Sequence, residues 1–107
     1  MTNAVVMRPV LAFNRSAIEA KIARAARFAG VTTAADDAEA FDAFVDRIGE
    51  MGSAMDVPAN LVDQGVDPSR VAEIAAAAVE DPSASGNPIP FDLDAATEVF
   101  NTACAGA

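Results

Sequence analysis

A chain of 107 residues and 10.9 kDa holds one domain and not two, and a compact chain of this size buries roughly 65% of its unfolded surface. Its 52% hydrophobic content, with six Gly and six Pro, excludes a disordered acidic tail, a collagen-like chain and a flexible linker. Seven basic against sixteen acidic residues leave a net charge of -9, which excludes a nucleic-acid binder, and the lack of His excludes a His-ligated metal site within these residues.

The apolar spacing is helical from the start. Residues 3–13 are apolar apart from Asn3 and Arg8, which predicts a helix buried on most sides. Pro9 lacks a backbone donor, so a kink or an early break is expected there. Asn14 or Ser16 then caps a second helix, with Ser16-Ala17-Ile18-Glu19 as a capping box. Ile18, Ile22, Ala25, Ala26 and Ala29 form its inward stripe, and Gly30 stops it.

Thr33 or Asp36 opens a third helix, with acids in the first turn where the helix dipole favours them. Phe41, Phe44, Val45, Ile48 and Met51 line its inner face, and Gly52 and Ser53 end it. Residues 55–66 read as a loop that carries Leu61 and Val66 inward.

Asp67-Pro68 is a helix start, a capping acid before a proline at the first position. The fourth helix runs through Val71, Ile74, Ala75, Ala78 and Val79, and Asp81-Pro82 ends it. Residues 82–90 are turn chemistry, read either as a connector or as a rigid pocket wall. Asp92 caps a last helix with Leu93, Ala96, Val99 or Phe100, and Cys104 turned inward. With no strand signal and no repeat, the expected fold class is all-α with about five helices, a single helical domain over 1–107.

Charge is unevenly spread. In residues 1–30, Arg8, Arg15, Lys21, Arg24 and Arg27 face Glu19 alone, a local balance of +4, whereas residues 31–107 sum to -13. Either this basic helix docks on an acidic partner, or it neutralises the acidic remainder of its own domain. Cys104 has no internal partner, and in its Ala-rich setting it reads as an inert thiol, which fits a reducing cytoplasm. No signal peptide is visible, and the longest apolar run, Ile74 to Val79, is far short of the ~20 residues of a membrane span. The expectation is a soluble, cytoplasmic protein.

Candidate chemistry is sparse. Asp36, Asp37, Glu39 and Asp42 lack Ca-loop spacing and read as a solvated first turn. Ser83 and Ser85 have no His or Lys near in sequence to activate them as nucleophiles. A thin alanine core with an apolar leading helix suggests part of something larger. The alternative is a self-contained acidic interaction module, or a homodimer that buries the first helix against its twin.

Three stretches in order carry a resemblance. Thr2-Asn3-Ala4-Val5-Val6-Met7, leading to Val10-Leu11-Ala12-Phe13-Asn14, is similar to an Asn-Ala-apolar-apolar helix ending in a Phe-Asn or Tyr-Asn pair. Leu61-Val62-Asp63-Gln64-Gly65-Val66 is similar to a "leucine, then acid-x-Gly-Val" segment before a helix. Ala78-Val79-Glu80-Asp81 followed by Gly86-Asn87-Pro88 is similar to a closing Asp…Gly-Asn-Pro turn. Together they resemble the C-terminal helical segment of the iron-containing (group III) alcohol dehydrogenases, over nearly the whole chain.

The resemblance implies a fragment of a larger two-domain enzyme that transfers hydride between an alcohol and NAD(P), with iron or zinc on the substrate oxygen. It implies that NAD(P) binds to an N-terminal α/β domain. It also implies that one Asp and three His hold the metal upstream of the Asn-Ala helix. No metal, cofactor or catalytic residue is therefore expected in this chain, and the expected partner is the N-terminal domain or a second copy. One position carries over: Ser83 stands where some members have a Cys facing the substrate, so Ser83 is the expected substrate-pocket wall. Arg8-Pro9 departs from the family pattern, in which proline comes one residue earlier and is followed by His or Tyr.

Overall fold

The computed structural model describes residues 1–106. Four α-helices follow one another: α1 (Thr2–Phe28), α2 (Asp37–Ala54), α3 (Val71–Glu80) and α4 (Leu93–Ala105). Short 3-10 turns at Pro68–Arg70 and Pro82–Gly86 lead into and away from α3. Among the described residues there is no strand, so the all-α expectation holds.

The first two expected helices are one. α1 runs for 27 residues with Pro9 inside it and no break at Asn14 or Ser16. The capping signals there are spent on other partners. The Asn14 amide bonds across the fold to Asn87, and Glu19 accepts from Arg15 Nε at 2.7 Å instead of reaching back to Ser16. Pro9 removes one helical hydrogen bond, but its ring is buried, so packing offsets the lost donor.

α1 ends as expected at Gly30. Its φ of +76° suits a residue without Cβ, and the Gly30 and Val31 amides donate to the Arg27 and Ala26 carbonyls at 3.1 and 2.9 Å. Arg27 then staples the turn into α2, donating to the Ala34 and Ala35 carbonyls and to Asp37 at 2.7, 2.9 and 2.7 Å. Asp36 caps α2 by accepting from the Glu39 amide, and Asp92 caps α4 by accepting from the Ala95 amide at 2.8 Å.

α1 packs most extensively on α2, α3 packs on α4, and α4 also leans on α1. The result is a flat body, 42 × 31 × 19 Å. Arg15 bonds Asp42 at 2.8 Å and lies 4.5 Å over the buried Phe41 ring, so the basic helix neutralises acids of its own domain. Within 3–13 only Val5 and Pro9 are buried, four residues apart on one face, so the leading helix is covered along one side and not around most of its girth.

Seven of the eleven buried apolar residues are alanines, which brings the helix backbones close but buries little area per residue. The inward stripe of α1 falls on Ala23 and Ala26, whereas Ala25 and Ala29 are exposed. Leu61, Val5, Phe100 and Ala103 make the larger cluster, and the Leu61 amide donates to the Ala103 carbonyl at 3.0 Å to hold the 55–66 loop. Leu93 and Met51 lie exposed. Cys104 is half-buried, and burial pushes its thiol pKa up, which keeps it protonated.

Candidate functional site

The most polar arrangement inside the fold is built from the two ends of the chain. Asn14, only 4% exposed in the middle of α1, faces Asn87 in the turn before α4. Each amide donates to the other's carbonyl, at 2.9 and 2.8 Å, and Asn87 also donates to the Ile89 carbonyl at 2.7 Å. Buried polar groups persist only when paired in this way. The local sequence aims Asn87. Pro88 restricts it to extended backbone (φ -69°, ψ 138°), which turns its side chain out of the short 3-10 turn.

Above this pair lies a cleft of about 430 Å3. Val10, Phe13 and Asn14 of α1 form one wall, and Ser83, Asn87 and Phe91 line the other side. Phe13 and Phe91 meet edge to face, with centroids 6.1 Å apart and ring planes at 86°. The cleft is therefore held on both sides by specific contacts between residues about 75 positions apart.

Ser83 is placed by its own turn. The Asp81 carboxylate accepts from the Ser83 amide at 2.8 Å and from the Ser83 hydroxyl. These two bonds, the hydroxyl's first, hold the Asp81 carboxyl below its ordinary range. The Ser83 proton is thus engaged with an ionised carboxylate, and its free lone pairs make it an acceptor towards the cleft. No His, Lys or Arg lines the cleft to act as a base. The arrangement can bind and orient a small hydroxyl-bearing molecule, and it has no activated nucleophile.

The residues present do not fit a metal or a nicotinamide. Among the described residues no three of His, Cys, Asp or Glu come together as a ligand set. The Asp36–Asp42 acids are used elsewhere: Asp36 as a cap, Asp37 with Arg27 and Asp42 with Arg15. A dinucleotide-binding sheet needs strands, and the described residues form none. No helix is long and apolar enough to cross a membrane.

Of the positions singled out in the sequence, Ser83 does line the cleft, and Ser85 bonds the Pro82 carbonyl instead. The Asn14–Asn87 pair is not legible in the sequence, where Asn14 reads locally as a cap candidate beside Ser16. Its signal lay in the Phe13-Asn14 and Gly86-Asn87-Pro88 stretches, two asparagines next to residues that restrict or bury the backbone.

Neither the curated proteins nor the solved structures gave a significant match. A model described as "Fe-containing alcohol dehydrogenase family, C-terminal" matches residues 1–104. A match over nearly all of the chain makes this protein a member of the iron-containing alcohol dehydrogenase family and assigns it to the family's C-terminal domain.

Proposed function

We propose that this chain serves as the C-terminal helical part of an iron-type, NAD(P)-dependent alcohol dehydrogenase. Its role is scaffold, docking surface for an N-terminal cofactor-binding domain, and substrate-pocket wall at Ser83. Alone it transfers no hydride between alcohol and carbonyl. A cytoplasmic setting fits its single cysteine.

One observation carries the docking role. The chain exposes 6618 Å2, whereas a monomer of 10.9 kDa typically exposes about 5,600 Å2. The excess, on the order of 1,000 Å2, is close to one partner's share of a standard protein interface. The flat body and alanine core leave apolar side chains outside that a second body would cover.

The test is direct. The purified chain, supplied with Fe2+ or Zn2+, NAD(P) and short alcohols, is expected to produce no reduced nicotinamide. Detectable turnover would overturn the inert-alone reading. Sequencing DNA upstream of the Met1 codon tests the joined reading. An open frame with a Gly-rich cofactor loop and a His-Gly pair supports it, and a stop codon with a ribosome-binding site there defeats it.

A second reading, a free-standing interaction module or homodimer, is favoured by one patch. Met7, Met51 and Met55 are 44%, 46% and 64% exposed around a groove between α1 and α2, and flexible methionines suit adaptable contacts. Light scattering separates the two readings. A concentration-dependent dimer supports self-association, and a monomer at all concentrations removes it.

A further inference from the structure

Every methionine of the chain after Met1 lines one half-open groove between α1 and α2. Met51 and Met55 stand one turn apart at the end of α2, and Met7 lines the groove from α1. The small residues Ala4 and Gly52 leave the space between them, about 160 Å3, close to what one benzene ring fills. The rest of the lining is aliphatic, and among the described residues no carboxylate, hydroxyl, side-chain amide or aromatic ring lines it. The three thioethers are its only side-chain donors.

Two features favour a cation there. The groove sits at the C-terminus of α2, the negative end of the helix dipole, and α2 has no basic residue in its last turn to answer it. The net charge of -9 adds to the attraction. Donor type narrows the ion. Uncharged thioethers suit Cu(I), whereas Mg2+, Ca2+ and Mn2+ seek oxygen donors and Zn2+ seeks thiolate, imidazole or carboxylate. The rotatable bonds of methionine let the sulfurs turn inward without moving either helix. We infer that Met7, Met51 and Met55 form a three-thioether site for a soft monovalent cation, Cu(I), with Ag+ as its redox-stable substitute. The site is separate from the Ser83 cleft and rests on neither reading of the chain's function.

The experiment titrates the full chain with Ag+ in chloride-free buffer, and with Cu(I) under anaerobic ascorbate. Cys104→Ala is the background, because a free thiol competes with thioethers for either ion. The ε-methyl NMR signals of the methionines report binding. One equivalent of Ag+ is expected to shift Met7, Met51 and Met55 together. Met1, 67% exposed and not part of the lining, should stay unmoved. Met51→Leu conserves volume and apolarity and should weaken binding roughly tenfold. Exchanging all three for Leu should weaken it roughly a hundredfold, with helical circular dichroism unchanged. If the triple variant unfolds, Met55→Leu, at the most exposed of the three, carries the same expectation as Met51→Leu.

The inference is overturned by no common shift of the three methyls, by a Met1 shift at the same Ag+ concentration, or by silence towards Cu(I). It is equally overturned by unweakened binding in a folded Leu variant, or by displacement of Ag+ by a tenfold excess of Zn2+ or Fe2+. Self-association through the same groove needs only apolar area, so it survives the Leu exchanges and is told apart from metal binding. None of these results touches the dehydrogenase reading, which is judged by turnover of the joined enzyme.

Discussion

The chain writes Asp-Pro-Ser twice, at 67–69 and at 81–83, and the two copies fold the same way for different ends. In each, the aspartate accepts from the amide and the hydroxyl of the serine two residues on, and the proline opens a 3-10 turn. After Pro68 come Ser-Arg-Val-Ala-Glu-Ile, good helix formers, and the turn feeds α3. After Pro82 come Ser-Ala-Ser-Gly-Asn-Pro, which cannot continue a helix, and the turn runs into Asn87 and the cleft. The local bonds are identical. What separates a helix start from a pocket wall is the next five residues and the body they meet.

The sharpest way to break this comparison is at the anchor that only the second copy has. Asn87→Ala leaves the buried Asn14 amide without its partner, and unfolding by urea should show a loss of about 2–3 kcal/mol. Next come the caps. Asp67→Ala should cost about 1 kcal/mol and reduce helical circular dichroism. The reason is that Arg70, which precedes α3, supplies no side-chain cap of its own. Asp81→Ala should leave helicity unchanged while shifting the Ser83 and Asn87 amide signals.

Acid titration sharpens the likeness between the copies. Serine hydrogen bonds hold both carboxyls below their ordinary value of 3.8. For Asp67 the backbone amide of Ser69 contributes most, and for Asp81 the Ser83 hydroxyl does. A depressed folded pKa means the stabilisation is complete above that ordinary value and is lost as pH falls through the folded value. Asp67→Asn and Asp81→Asn should each flatten stability against pH below about 4, with a small loss near neutrality, where the parent carboxylate's contribution is complete.

The smallest effect separates structure from function. Ser69→Ala and Ser83→Ala each delete one exposed hydroxyl bond, and their stabilities should fall within about 0.5 kcal/mol of the parent. In the joined enzyme only Ser83→Ala should change kcat/KM. Unchanged kinetics there would end its role as a pocket wall.

Caps and stops were legible wherever one residue acts on its own neighbours. Asp36, Asp67 and Asp92 cap, and Gly30 and Asp81-Pro82 stop. Phe41, Leu61 and Phe100 were legible as core because large apolar side chains have one favourable place to go. In the α1 stripe Ala26 is buried as expected and Ile18 and Ile22 are half-buried, but Ala25 and Ala29 lie exposed and Ala23 is buried instead, because alanine recurs on every face of that helix. Burying one alanine or its neighbour differs little in energy, so tertiary packing and not the sequence pattern chose Ala23 over Ala25.

Local chemistry therefore settled the all-helical class, most of the helix ends and the two Asp-Pro-Ser turns, because those interactions span four residues or fewer. The continuity of α1 through Pro9 and Ser16, the Asn14–Asn87 pair and the cleft over it depend on residues 73 or more positions apart. Contacts of that kind have no period and no spacing in the chain. They form only when the α1 surface and the turn before α4 are brought together and two buried amides must satisfy each other.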